Sequence, residues 1–225
     1  MEIYSVTIDQ TGTARDDNHR SLTGLSGLLR ETWQNAHGQK HRVRGPAVTV
    51  WNSDESEVAL TEWYHEGQLH REGAPARTYQ SGSSLIEEWF VFGELHREDG
   101  PARTNRDLST GLLLSEEWYT LGQLHRELGP ALISRQDNGV VSNEGWYRDG
   151  RLHRVDGPAY IERDWDSGIA TEERWLVNGQ QHRLEGPAEI WRDDETGEIL
   201  EVAHFRNGIA YNPSPQSPIN GPEPS

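Results

Sequence analysis

The chain contains no cysteine, one methionine and a single lysine, Lys40. Without cysteine there are no disulfides, no thiolate metal sites and no cysteine nucleophile. A reducing compartment fits this, and the expected location is cytoplasmic. Positive charge is scarce: 21 Lys and Arg stand against 37 Asp and Glu, a net charge of -16. Such a chain repels phosphates, which argues against direct nucleic-acid binding. No long apolar run could span a bilayer, and no signal-type apolar core follows Met1. The expectation is no membrane partner. Apolar residues make up only 33% of the chain. One deep core is therefore unexpected, yet nine Trp and seven Tyr are too many for a disordered chain. Large aromatics spaced along a polar chain suggest many small packing units.

Those units are visible as an internal repeat of about 29 residues. Its tryptophans are Trp33, Trp63, Trp89, Trp118, Trp146 and Trp175. Its histidines, each followed by Arg, are His41, His70, His96, His125, His153 and His182. Counted from Trp, Gly falls at +4, His at +7, Arg at +8 and Gly-Pro-Ala at +11 to +13, as in "WYRDGRLHRVDGPA" from Trp146. The Gly-Pro pairs Gly100-Pro101, Gly129-Pro130, Gly157-Pro158 and Gly186-Pro187 keep this spacing. The first copy carries one extra residue before His41. The second reads "REGAPA", with Gly73 one place early and Ala74 in its slot. A seventh, partial copy begins at "HFRNG", with His204 in the Trp slot.

Each copy predicts β structure. Asp149-Gly150, Asn178-Gly179 and Asn207-Gly208 call for two-residue type I′ hairpin turns, and other copies keep only the Gly. Two positions after each Ala stands a β-branched residue: Thr49, Thr78, Thr104, Ile133, Ile161 or Ile190. Turn-forming clusters such as "RQDNG" then lead into the next Trp. The unit is a long hairpin plus a short one. The expected fold is all-β, an elongated twisted meander of tandem antiparallel hairpins. The alternative is a closed, propeller-like ring, for which 29 residues per blade is short. The divisions are a degenerate N-terminal cap over 1–30, a repeat domain over 31–211 with six full copies and one partial, and a disordered Pro/Ser-rich tail over 212–225. The "NHR" at 18–20 is read as a decayed fragment of the motif.

A two-residue turn sets the register. It places Trp146 opposite His153, which suggests a Trp–His aromatic pair in each hairpin. One step outward, Glu62, Glu88 and Glu117 would face Arg71, Arg97 and Arg126 as ion pairs. The repeated Trp, His, Gly and Pro are thus assigned as structural residues, with no catalytic residue, no metal ligand and no cofactor. Six identical constellations suit architecture better than catalysis, and a metal would need His from several copies to converge. Trp and the aromatic after it point to opposite sheet faces, so both faces carry aromatic stripes.

The scheme W-Y-x-x-G-x-x-H-R-x-x-G-P-A, over residues 31–210, resembles the MORN-type repeat. Its G-x-L-H-R-x-D-G-P-A wording is similar to repeats in uncharacterised proteins of phages, large DNA viruses and actinobacteria. The unit is longer than an ordinary MORN repeat, and the His-Arg and Gly-Pro-Ala signature is its own. The resemblance implies an extended antiparallel sheet and a mostly non-enzymatic scaffold. The expected function is a monomeric, non-catalytic scaffold for an unknown protein partner. The alternatives are an acidic nucleic-acid mimic that inhibits a basic cleft and, third, a metal-dependent hydrolase.

Overall fold

The computed structural model describes residues 4–10, 29–52 and 57–213. The "NHR" segment at 18–20 and the tail from 214 lie outside them. Among the described residues there is no helix. Fourteen strands form one antiparallel meander in strict chain order: Ser5–Gln10, Leu29–Gln34, Val48–Trp51, Val58–Glu62, Arg77–Ser81, Ser84–Glu88, Arg103–Asp107, Leu113–Glu117, Leu132–Arg135, Val141–Gly145, Tyr160–Arg163, Ala170–Arg174, Glu189–Arg192 and Ile199–Ala203. The order runs from first to last without closing, so the ring considered as an alternative does not form. Each repeat supplies two of these strands.

Six small hairpins flank the sheet, the first Tyr64–His65 with Gln68–Leu69 and the last Phe205–Arg206 with Ile209–Ala210. All six turn on a pair with positive φ, as type I′ requires. Asp149 and Gly150 have φ of 48° and 73°. Where the sequence shows only a Gly, Glu66, Phe92 and Leu121 adopt φ of 46–48° at the first turn position all the same. Residues with a bulky Cβ are strained there. The first copy accommodates its extra residue in a wider turn. Its strand ends in a single bridge from Gln34 to Lys40, and Asn35 Oδ1 accepts the amides of His37 and Gln39, each at 3.0 Å.

The register explains the β-branched position. Thr104 is flanked by Glu87 and Glu116, Ile133 by Glu116 and Glu144, Ile161 by Glu144 and Glu173. Branched side chains fit this half-covered pleat. On the same face, Glu116 and Glu144 meet Arg135 and Arg163 at 2.6 and 2.7 Å, and Glu173 meets Arg192.

The opposite face carries the core. Val48, Val50, Ala59, Leu60, Tyr64, Leu69, Ala76 and Phe90 are buried together, with Trp33, Trp63, Tyr79 and Leu95 packed against them. This core belongs to the first three repeats, where the short hairpins fold their Tyr64, Leu69 and Phe90 onto the sheet. Farther along, the positions equivalent to Val50 and Leu60 are Asn105, Ser115, Ser134, Asn143, Glu162, Glu172 and Glu201, with Trp191 the one large apolar residue among them. The low apolar content is thus concentrated at one end.

Beside the core runs a row of alternating charge. Cross-strand neighbours, in order, are Glu62, Arg77, Glu88, Arg103 and Glu117. Arg77 Nε donates to Glu88 Oε2 at 2.6 Å, and its Nη1 lies 3.9 Å from Glu62 Oε1. Arg103 joins Glu88 and Glu117 at 3.2 and 3.1 Å. Glu62, Arg77 and Glu88 are 4–6% exposed. Burial alone would lower the Arg77 guanidinium, but Glu88 and Glu62 outweigh it and hold it above its ordinary value. The pairing of Glu62, Glu88 and Glu117 with Arg71, Arg97 and Arg126, expected from the hairpin register, is therefore corrected. The short hairpin closes at Trp and His, and Gly-Pro-Ala then returns the chain so that the residue after Ala faces the residue before Trp.

Two outcomes are expected. Glu88→Ala leaves a buried guanidinium short of its main partner and lowers unfolding free energy by about 3 kcal/mol in urea titration. Leu121→Asn relieves a left-handed turn residue whose side chain is mostly exposed. It raises stability by about 1 kcal/mol, seen as a higher Tm.

Candidate functional site

The repeated Trp, His, Arg, Gly, Pro and Ala form one structure at the edge where the short hairpins leave the sheet. Trp opens each short hairpin and His closes it, the His amide donating to the Trp carbonyl at 2.8–3.1 Å in all six copies. The opposition of Trp and His inferred from the turn is found. Their rings do not make the pair. The guanidinium of the next residue lies over each indole: Arg42, Arg71, Arg97, Arg126, Arg154 and Arg183 sit 3.8–4.0 Å from the ring centroids of Trp33, Trp63, Trp89, Trp118, Trp146 and Trp175. Each cation–π contact contributes roughly 0.5–2 kcal/mol, more as water is excluded. The seventh copy shows the competition. There Asn212 stands in the Arg slot, His204 replaces Trp and Tyr211 replaces His, and the two rings meet at 5.7 Å.

Gly-Pro-Ala completes the seat. In every copy Arg Nη1 donates to the Pro carbonyl four residues on, at 2.9–3.4 Å. A Cβ on Gly100 or Gly157 would come within 2.7 Å of that guanidinium. In those copies a side chain would meet the Arg that folds back over the loop, whereas Gly129 and Gly186 are called for by φ of 115° and 94°. In the second copy Gly73, at φ 69°, gives the loop the freedom that admits Ala74. The Ala of each motif is fully buried, and its carbonyl accepts the Trp amide at 2.7–2.8 Å.

The His joins one repeat to the next. Its Nδ1 accepts the backbone amide of the left-handed turn residue in the following hairpin: Glu66 to His41, Phe92 to His70, Leu121 to His96, Asp149 to His125, Asn178 to His153 and Asn207 to His182, at 2.9–3.3 Å. Two more bonds accompany each. The turn Gly donates to the carbonyl just before the preceding His, and the Arg amide donates forward to the carbonyl after the next Trp. Each motif His is thereby committed to a neighbour's turn, and the rings are strung along the array. His125 also touches Asp149 Oδ1 at 3.0 Å and Glu127 Oε1 at 3.2 Å. Among the described residues no group of three His, Asp or Glu is placed to hold a metal.

Besides the turn of the short hairpin, the residues of the motif that face outward are the two between Arg and Gly-Pro. Leu128 is 87% exposed, Val155 80% and Leu184 68%. They lie in the loops of three successive repeats, Leu128 at the second position after Arg and Val155 and Leu184 at the first. Leu128 and Val155 flank a groove that contains Trp146, Tyr147, His153 and Arg154. An equivalent hollow at the first repeat holds Tyr4, Trp33, Arg42 and Val43. Sequence reasoning missed this row because these positions vary: "VR", "EG", "ED", "EL", "VD" and "LE". The signal was there in the contrast between invariant flanks and apolar residues in a polar turn.

The opposite edge holds turns of the form Asp-x-x-Ser/Thr-Gly at Asp107, Asp164 and Asp193. Each Asp Oδ1 accepts backbone and hydroxyl donors of its own turn. The Ser109 hydroxyl and the Thr110 amide and hydroxyl hold the Asp107 carboxyl down to about 2. Asp164 and Asp193 are lowered in the same way, by the Ser167 and Thr196 amides first. These carboxylates serve the turns.

His96→Ala removes the acceptor for the Leu121 amide. It should cost about 1 kcal/mol and speed hydrogen exchange at Leu121, whereas His96→Asn, with an oxygen near the Nδ1 position, restores part of the protection.

Among the described residues no helix is long and apolar enough to cross a membrane. No protein-family model matches the chain, and no curated protein matches it.

Proposed function

We propose that this chain is a non-catalytic repeat scaffold of the MORN-like type, whose loop edge binds a protein partner. One observation carries the reading: Leu128, Val155 and Leu184 stand exposed in successive loops, and Leu128 and Val155 border a groove lined by Trp146, Tyr147 and Arg154. Exposed apolar residues rimmed by charge, beside a groove lined by aromatic and Arg side chains, have the make-up of a protein interface. The commitment of the six His to backbone turns supports a structural role for them rather than hydrolysis.

Mimicry of nucleic acid has less support. Carboxylates lie on both sheet faces, and Glu62, Glu88 and Glu117 on one and Glu116, Glu144 and Glu173 on the other engage arginines. A mimic needs them free and on one side.

The test compares wild type with Leu128→Glu/Val155→Glu/Leu184→Glu, first by Tm to establish equal folding. A protein captured stoichiometrically by wild type, and bound at least tenfold more weakly by the purified triple variant in calorimetry, is the expected result. Equal affinity for both would overturn the placement of the interface.

A further inference from the structure

We infer that the hairpin stack carries an acid-sensitive seam at the third and fourth repeats. There His70 and His96 hold the turns at Phe92 and Leu121 through a ring nitrogen that must stay unprotonated. The direction of these bonds fixes the tautomer. A backbone amide can only donate, so the Nδ1 that meets Phe92 N or Leu121 N at 3.3 Å accepts with its lone pair. A neutral imidazole does this with its proton on Nε2. An imidazolium cannot, because both ring nitrogens are then donors and N–H would face N–H. Imidazole ordinarily takes up its second proton near about pH 6.5. The bond is present above that range and is lost as pH falls through it.

The next two turns answer the proton differently. Asp149 Oδ1 lies 3.0 Å from His125 Nδ1, and Asn178 Oδ1 lies 2.9 Å from His153 Nδ1. When either ring is protonated, Nδ1–H donates to that oxygen, and one bond between the repeats replaces the other. At Asp149 the new bond joins opposite charges and is the stronger of the two. Phe92 and Leu121 have no side-chain oxygen to receive the proton. Glu66 and Asn207 carry one, but among the described residues only their backbone amides meet Nδ1 of His41 and His182.

The charges around the seam offer no substitute. The hairpin packed against His96, Tyr119–Thr120 with Gln123–Leu124, carries no charged residue. On the segment of His96 itself stand Glu94, whose carboxyl leans over Gly122, then Glu98, and Asp99, which Arg97 Nε holds at 2.9 Å. Around His70 are His65, its ring 6.0 Å away, Glu72, and Glu94 of the facing hairpin. Arg71 and Arg97 lie on their tryptophans. Among the described residues none of these groups bonds Nδ1, so none accepts its proton.

The seam coincides with strain. Phe92 and Leu121 both hold φ of 46°. The His bond is one of three that keep each turn there, beside Gly93 N to Leu69 O at 2.8 Å or Gly122 N to Leu95 O at 2.9 Å, and the Arg amide. With it gone the left-handed turn loosens while the sheet beneath keeps its pairing. Leu121 loses most. Phe92 keeps a ring stack on His70 at 4.3 Å, which does not need the unprotonated nitrogen.

Amide hydrogen exchange on the full chain, read as protection factors at about pH 7.5 and about pH 5.5, brackets the imidazole range. At the lower pH, protection at Leu121 should fall on the order of fivefold, the equivalent of one hydrogen bond. The fall should be smaller at Phe92 and absent at Asp149. Thr104, inside the sheet, reports global opening. Leu121→Asp, folded at both pH values, should remove the fall at that turn, and Asp149→Leu should create one at position 149. Equal losses at all six turns, or losses at none, would show that the proton does not act through Nδ1 and would end the inference. So would a fall at Leu121 that survives Leu121→Asp, or one that Thr104 shares.

Discussion

Every repeat depends on one guanidinium. The motif Arg lies flat on its Trp, bonds back to the Pro carbonyl four residues on, and occupies the space a side chain on Gly would need. A planar cation with several donors can satisfy both contacts at once, which a lysine cannot. The Arg seat fixes where the chain turns after the short hairpin. That turn delivers Ala to a buried position against the Trp amide, and from Ala the next long strand begins in register. The near-absence of lysine is thus consistent with what the fold asks of its cations.

Cooperation between repeats comes from a different residue. Each His holds the turn of the following hairpin, and that turn is strained wherever Gly is preceded by Glu66, Phe92 or Leu121. A strained turn persists when its surroundings over-determine it. Three hydrogen bonds from the preceding repeat do so here. Stability in such an array is a sum of units and nearest-neighbour contacts. The His and the hairpin stack are those neighbour contacts along the whole chain. The apolar core and the buried charge row add to them in the first repeats.

This division has a functional consequence. With Trp, His, Arg, Gly, Pro and Ala engaged in holding the array together, variation falls on the turn of the short hairpin and on the two loop residues after Arg. The loop pair contains one apolar residue beside a charged one in the first, fourth, fifth and sixth copies, is Glu72-Gly73 in the second and is Glu98-Asp99 in the third. A repeated edge whose loops carry differing residues is a surface that can vary while the frame stays the same.

Much of this was legible in the sequence. The repeat length, the I′ turns at Asp149-Gly150, Asn178-Gly179 and Asn207-Gly208, the β-branched strand position and the open antiparallel meander all follow from local rules: turn chemistry, alternation and spacing act over two to five residues. The opposition of Trp and His followed too, because a two-residue turn leaves no freedom in register. What only the tertiary structure decided is which side chains meet once the hairpin ends. Arg126, not His125, takes the face of Trp118, and Glu88 pairs with Arg77 and Arg103 rather than Arg97. Those choices depend on where Gly-Pro-Ala redirects the chain, on the reach of a guanidinium, and on strands a full repeat away. The outward row of Leu128, Val155 and Leu184 arises in the same way. Each is an ordinary loop residue in sequence, and they become one surface only when the sheet sets their loops side by side.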